Sequence, residues 1–497
     1  MKRRLLILIT LFIPLFLSAQ NEAPLVKDFV KKSRGVSSFV LNDDVNVMSI
    51  NTDNTNTEMV AVKSNMQVLW RTKVAGYAVS AGNFKGKVFV VTASDHSAMR
   101  GTTNNFTCYL LDPASGSVSL QQKIYEGGKQ MVEEPHFFWA KDGSLFKMVV
   151  RQSGITNKLH VGLPGPLALI TMYKMAKDFS TTRSLAIIDF DEKLVPISIM
   201  APEPHSGELA DIRVNYDGDV FLAWAQKNSD IEIERYARNT EKPASKVNVS
   251  LDLRGYEYSR LVASLYMLPS SSEPQVLYGA IAHQNTNKDE QLSVFKADFK
   301  TGKCTIQTES LEKDAIKAIN KGYRVINKKV DDPDLGWGND CRIDLLEEHN
   351  GKLVICSVKQ YVIWGNTSSS FISRAPLLSI YNLDLKLQAH QLIPSSFGIG
   401  TAYTMPVATY HFADDKLYLI ANAKTGMVEI SGMFGVLNLN NGQWERQEYL
   451  SKKHMSNPMF VNDATMWYKK GAVACYSDLS FGIGTVKTSC DLQQVNF

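Results

Sequence analysis

Cysteine is scarce in this 497-residue chain, and neither sign of charge prevails. The six cysteines, Cys108, Cys304, Cys341, Cys356, Cys475 and Cys490, form no Cys-x-x-Cys spacing, so zinc frameworks and thioredoxin-like redox chemistry have no support. Lys and Arg number 54 against 50 Asp and Glu, and Lys2, Arg3 and Arg4 account for three of the cations, leaving 51. A balance so near neutral provides no polyanion-binding surface, and a nucleic-acid partner is not expected. After the first 20 positions no apolar run reaches the roughly 20 residues that cross a bilayer, so no integral membrane segment is expected there. Catalytic signatures are missing too: there is no HExxH, no GxSxG, no P-loop and no complete sialidase-type Asp box, which Asn441-Gly442-Gln443-Trp444 only echoes. The nine histidines are dispersed. His136, after Glu133-Glu134-Pro135, and His205, after Glu203-Pro204, are read as structural.

What the chain does have begins at its first residue. Lys2-Arg3-Arg4 is cationic, Leu5 to Leu17 is apolar apart from Thr10 and Pro14, and Ser18-Ala19 supply the small residues that a signal peptidase requires. Residues 1–19 are therefore read as a signal peptide cleaved after Ala19, and the mature protein as exported to the periplasm, the cell surface or the medium. Export makes disulfides accessible. Cys475 and Cys490 flank Phe481-Gly482-Ile483-Gly484 almost symmetrically, so a hairpin turning near Gly482 sets them opposite each other as a candidate disulfide, against the commoner state of scattered cysteines, the buried free thiol.

Short β-rich runs then dominate, many of them paired around turn dipeptides that tolerate positive φ. Asp142-Gly143 joins His136–Ala140 to Leu145–Val150, and Asp217-Gly218 joins Arg213–Tyr216 to Val220–Ala225. Asn350-Gly351 and Asp414-Asp415 make the same join further on. A second hairpin follows each of the first, through Asp112 to Gly116, Asp298 to Gly302, and Asn441-Gly442. Two hairpins per unit make a four-stranded antiparallel meander. Such units begin near Val36, Ala75, Glu134, Ala210, Arg260, Asp340, Pro406 and Asn457.

This rhythm resembles a β-propeller: an all-β fold of about seven or eight four-stranded antiparallel blades, with short helical insertions on one face. The Asp112 to Gly116 and Asp298 to Gly302 turns look like the closing hairpins of quinoprotein-type blades. Those blades end in a tryptophan that this chain does not place regularly, and no quinone cofactor is carried over. On this reading residues 20–35 are an N-terminal linker and 36–497 a single propeller domain, with insertions at 152–183, 310–339 and 365–374. The competing architecture is two stacked β domains split after Ser310. Ser310 is a reasonable N-cap, and Leu311, Ala315 and Ile319 recur at helical spacing, so a helix is expected over Leu311–Asn320, inserted into a strand rhythm that continues on both sides.

Turns within hairpins are short, whereas connections between second and third strands and between units are long. In a propeller these two classes emerge on opposite faces, so one face is elaborated. The Gln152–Arg183 insertion opens with Leu163-Pro164-Gly165-Pro166 and carries Leu167, Leu169, Ile170, Met172, Tyr173, Met175 and Phe179, apolar around its whole circumference and expected to cap the propeller's mouth. The Ser310–Asn339 insertion ends in Asp331, Asp332, Asp334, Trp337, Asn339 and then Asp340. Its carboxylates offer oxygen ligands to a calcium ion, although they match no EF-hand spacing; no other cofactor is expected. Trp337, whose neighbours Gly336 and Gly338 leave its ring face open, is a candidate for stacking on a sugar, and Asn339, Trp364 and Arg374 around the serine-rich 365–374, and Arg100 in the Ser94–Asn105 loop beside His96, are candidates for binding a ligand. Ser396-Phe397-Gly398-Ile399-Gly400-Thr401 recurs unchanged at Ser480–Thr485 and is read as an equivalent joint in two units. The function expected is exported, non-catalytic binding of a protein or glycan through the elaborated face. The alternative is a carbohydrate-active hydrolase or lyase, which requires at least two carboxylates to converge in the channel.

Overall fold

The computed structural model describes residues 24–94, 105–126, 130–132, 135–139, 146–156, 182–204, 207–226, 230–238, 240–251, 264–285, 287, 289–326, 335–338, 340–364, 369–395, 397–399, 408–424, 430–450, 459–482 and 485–497. These residues form eight antiparallel sheets, the blades of a propeller numbered 1 to 8 from the N-terminal side. First strands begin at Gly35, Tyr77, Gln130, Glu208, Leu265, Cys341, Ala408 and Met459, each within five residues of the unit starts read from the sequence. The regularity follows from patterning. Second strands such as Val45–Asn51 and Val220–Ala225 are buried throughout because both of their faces meet neighbouring blades, and their sequences are correspondingly apolar. Last strands such as Val118–Glu126 and Lys303–Ser310 alternate instead, with one face in water.

Turn chemistry fixes the register. Asn350 and Gly351 both take positive φ, as a tight two-residue hairpin demands. At the second hairpin of five blades an Asp or Asn side chain accepts from backbone amides two to four residues on: Asp112, Asp191, Asp298, Asn382 and Asn438. The turn then closes through a positive-φ residue, Gly116, Leu194, Gly302, Leu385 or Gly442. Gly116 has a second duty. The Trp70 ring of blade 1 lies where a Cβ would stand, and its Nε1 donates to the Pro113 carbonyl at 2.9 Å. This is a tryptophan clasp onto the next blade's closing turn, present at one join.

Eight hydrophobic clusters hold the ring, and each lies between two neighbouring blades. The eighth, between blades 8 and 1, includes Val30, because Leu25–Ser33 pairs with Thr485–Asn496 as the outermost strand of blade 8. Residues 20–35 are therefore not a linker: most of them form the strand that joins the chain's two ends into one sheet. The helix spans Lys313–Ile326, starting two residues later and ending six residues beyond expectation, since Ser310 is taken up by the end of blade 5, paired with Gln291. The segment lies between blades 5 and 6, whose side chains share one cluster. Within the serine-rich 365–374 the described residues Ser369–Ser373 are strand rather than loop: they pair back onto Lys352–Trp364, extending blade 6. The repeated hexapeptide does not form equivalent joints. Phe397–Ile399 adds a strand to that extension, whereas Ser480, Phe481 and Gly482 end the second strand of blade 8.

Cys475 and Cys490 are buried free thiols. The hairpin does bring their strands together, but Cys475 pairs with Leu492 and Cys490 with Ser477, so the thiols are diagonal neighbours rather than opposite ones. A hydrogen bond with Cys490 and burial both push the Cys475 thiol upward.

Two ionic features make the fold testable. Lys147 and Asp189 face each other across blade 3, 2.5 Å apart with side chains only 3% exposed. Lys147→Met strands the Asp189 charge and is expected to cost about 3–5 kcal/mol in urea unfolding, while Lys147→Met with Asp189→Leu recovers most of the loss. Deleting residues 1–34 removes the closing strand and Val30, and is expected to lower stability by at least about 2 kcal/mol, whereas deleting 1–23 leaves the melting temperature unchanged.

Candidate functional site

First strands line the channel, so their outward-turned side chains have no neighbouring blade to pack against. Blade 8 breaks its first strand into Met459–Phe460 and Met466–Tyr468 with a single 3-10 turn over Asn462–Ala464. Ser38 of blade 1 holds the turn by donating its hydroxyl to the Thr465 carbonyl at 2.7 Å and to that of Asp463 at 3.4 Å. Asp463 is thereby presented to a cavity of ≈ 990 Å³ bounded by blades 6, 7, 8 and 1, where Arg342, Asp344, Glu347, Tyr410, Phe412 and Phe39 also stand.

Asp344 and Asp463 occupy this cavity in different environments. Arg342 donates Nη2 to one Asp344 oxygen at 3.0 Å, and the Tyr410 hydroxyl reaches the other at 3.0 Å. Tyr410 also lies 3.2 Å from the Cys356 sulfur, but its single proton serves one acceptor at a time and a carboxylate is the stronger. Burial raises the Tyr410 phenol and the Cys356 thiol, keeping both neutral. Asp463 has solvent at its surface yet protein all round. That surrounding mass raises its carboxyl, and the Asp344 charge raises it further. One carboxylate is thus anchored by a guanidinium, while the other favours its protonated form more than an ordinary aspartate does.

The residues singled out from sequence fare differently. Trp337 is 1% exposed inside the blade 5–6 cluster and donates Nε1 to Ser357 at 3.0 Å, so no ring face is left for a sugar. Its flanking glycines serve another purpose, admitting the Glu290 carboxylate where side chains would stand. Arg374 turns onto Tyr361, donating Nε at 3.1 Å and Nη2 at 2.6 Å, within the blade 6 extension. Trp364 ends a strand of that same extension, and Asp340 accepts from the Gln360 amide at the start of blade 6. These four gather around blade 6 and none lines the cavity. Arg100, His96, His205, Asn339, Asp331, Asp332, Asp334 and the Leu163–Phe179 segment lie outside the described residues. No group of three or more His, Cys, Asp or Glu side chains placed to hold a metal ion occurs among the described residues.

Sequence reasoning missed Asp344, Asp463, Arg342 and Tyr410. A signal existed for two of them. Arg342-x-Asp344 places opposite charges two apart on a first strand, on a face that a purely structural strand would leave apolar or neutral.

No protein-family model and no curated protein matches the chain. Solved structures resemble it in shape. The WD40 domain of SCAP from fission yeast does so at 8% identity and a TM-score of 0.40, over 96% of this chain and 99% of that one. The polysaccharide lyase Uly1 gives 10% and 0.40 over 84% and 90%. The β-propeller domain of the Trilobed protease from Pyrococcus furiosus gives 10% and 0.36 over 87% and 97%. At such identities and scores no residue's role passes from those chains to this one.

Proposed function

We propose that the protein is exported and binds a glycan in the cavity between blades 6, 7, 8 and 1. The observation carrying this reading is the composition of the cavity wall: Phe39 and Phe412 offer ring surface, while Arg342, Asp344, Glu347 and Asp463 offer the donors and acceptors that a polyhydroxylated ligand requires. The cationic, apolar start of the sequence supports export. Calorimetric titration of the full-length protein after removal of residues 1–19, against neutral and acidic oligosaccharides, is expected to find a binder. Phe39→Ala and Asp344→Asn are each expected to weaken it about tenfold or more, the cost of one well-formed contact. Binding that survives both substitutions would place the ligand elsewhere.

The unequal pair of carboxylates favours hydrolysis as a second reading. In that chemistry the Asp463 carboxyl donates its proton to the glycosidic oxygen as the C1–O bond breaks, and Asp344 takes a proton from the water whose oxygen bonds to C1. Solvent exchange returns each carboxyl to its starting state, and the net change is addition of one water across the bond. Reducing-end release from a bound oligosaccharide is expected to vanish in Asp463→Asn while binding persists. Absence of release in the unaltered protein leaves binding alone as the function.

A further inference from the structure

Opposite the cavity, on the blade 3 to 5 side of the channel, stands a second polar group. Arg213 lies two residues after Asp211 on the first strand of blade 4, Glu208–Val214, so the two side chains share a face. Asp211 accepts the Arg213 Nε at 3.1 Å, together with the amides of Ile212 at 2.8 Å and Met267 at 2.9 Å. Its carboxyl is therefore a fixed support rather than a free group. The guanidinium carbon sits 4.4 Å from the centre of the Tyr266 ring, which belongs to the first strand of blade 5. Anchored at Nε and held over an aromatic ring, Arg213 keeps its Nη1 and Nη2 groups without a further partner among the described residues.

Burial raises the Tyr266 phenol, Arg213 opposes the rise, and Asp211 and, from blade 6, Glu347 and Asp344 add to it. His136, on the first strand of blade 3 and exposed to solvent, is held below its ordinary value first by the protein around it and then by Arg213 and Arg151. These charges lie on the first strands of blades 3 to 6, the strands that line the channel, and the part-exposed Arg213 stands among them. Acids stand on the other side: Asp344, Glu347 and Asp463.

We propose that Arg213 anchors an oxyanion carried by the ligand, the carboxylate or sulfate of an acidic sugar, with Asp211 and Tyr266 as positioning residues. The inference rests on the glycan reading and narrows it to a substrate class. A fork whose planar orientation is set in advance suits two-point recognition of a carboxylate or sulfate, which a lysine at this position cannot reproduce. The acidic wall opposite turns the ligand one way, with its anionic group toward blade 4 and its hydroxyls toward Asp344 and Asp463.

The test is calorimetric titration of the full chain with oligogalacturonate, its methyl ester, sulfated maltohexaose and plain maltohexaose, at low and high salt. The unaltered protein is expected to bind one of the two anionic probes about tenfold or more tightly than its neutral counterpart, with an affinity that falls as salt rises. Oligogalacturonate identifies a carboxylate, sulfated maltohexaose a sulfate. Arg213→Lys keeps the ion pair with Asp211, hence the fold, and is expected to lose most of that preference. Arg213→Met combined with Asp211→Asn, which leaves no buried charge unpaired, is expected to lose it entirely while binding of the neutral probe stays within twofold. Melting curves confirm that each variant is folded. If neutral probes bind as tightly as anionic ones, or if both variants keep the preference, the anion anchor is overturned while the glycan reading stands. If none of the four binds, both fall together.

Discussion

Burial between blades is the constraint from which the rest of the structure follows. Second strands such as Val45–Asn51, Val220–Ala225 and Val276–Gln284 are buried on both faces, and a single four-stranded sheet has no means of covering both. The solution is circular: each of the eight hydrophobic clusters is shared by two blades, and the last of them is completed by a strand from the chain's beginning. A ring of this kind stabilises every blade through its two neighbours. It also explains why Leu25–Ser33, polar and unremarkable as sequence, is tied to the C-terminal strands rather than trailing free.

The same constraint frees the first strands for function. Side chains on first strands such as Arg213 and Arg342 stay part-exposed, so charge there carries less desolvation cost than charge in the blade cores, where Lys147 and Glu234 require close partners. Around the ring the polar residues sort by blade. Arg213 and His136 stand on one side, Asp344, Glu347 and Asp463 on the other, with Arg342 holding Asp344. The near balance of charge in the whole chain does not reveal this arrangement.

Much of the fold was legible because hairpin chemistry is local. Asn350-Gly351 and Asp112 to Gly116 announce their turns by residue type alone, and eight unit starts fall within five residues of the first strands. The closing strand was not legible, because its partner lies more than 450 residues away in sequence, at Thr485–Asn496. The site was harder still. Asp463 acquires its environment from a 3-10 turn held by Ser38 of another blade, and its partner Asp344 comes from a third. Trp337 failed as a candidate for a related reason: flanking glycines were taken to leave its ring open, whereas they admit Glu290 and the ring is buried. Arg342-x-Asp344 and Asp211-x-Arg213 are the local traces that survive, alternating charges on strands already identified as first in their units.

The claim that the channel interior is the binding site is most directly tested by carbodiimide footprinting of carboxylates with and without the tightest-binding oligosaccharide. Asp463 and Glu347 are expected to be protected by ligand, while Asp53 and Asp112, which sit in surface turns, label equally in both states. Unchanged labelling of Asp463 and Glu347 in the ligand-bound protein would contradict it.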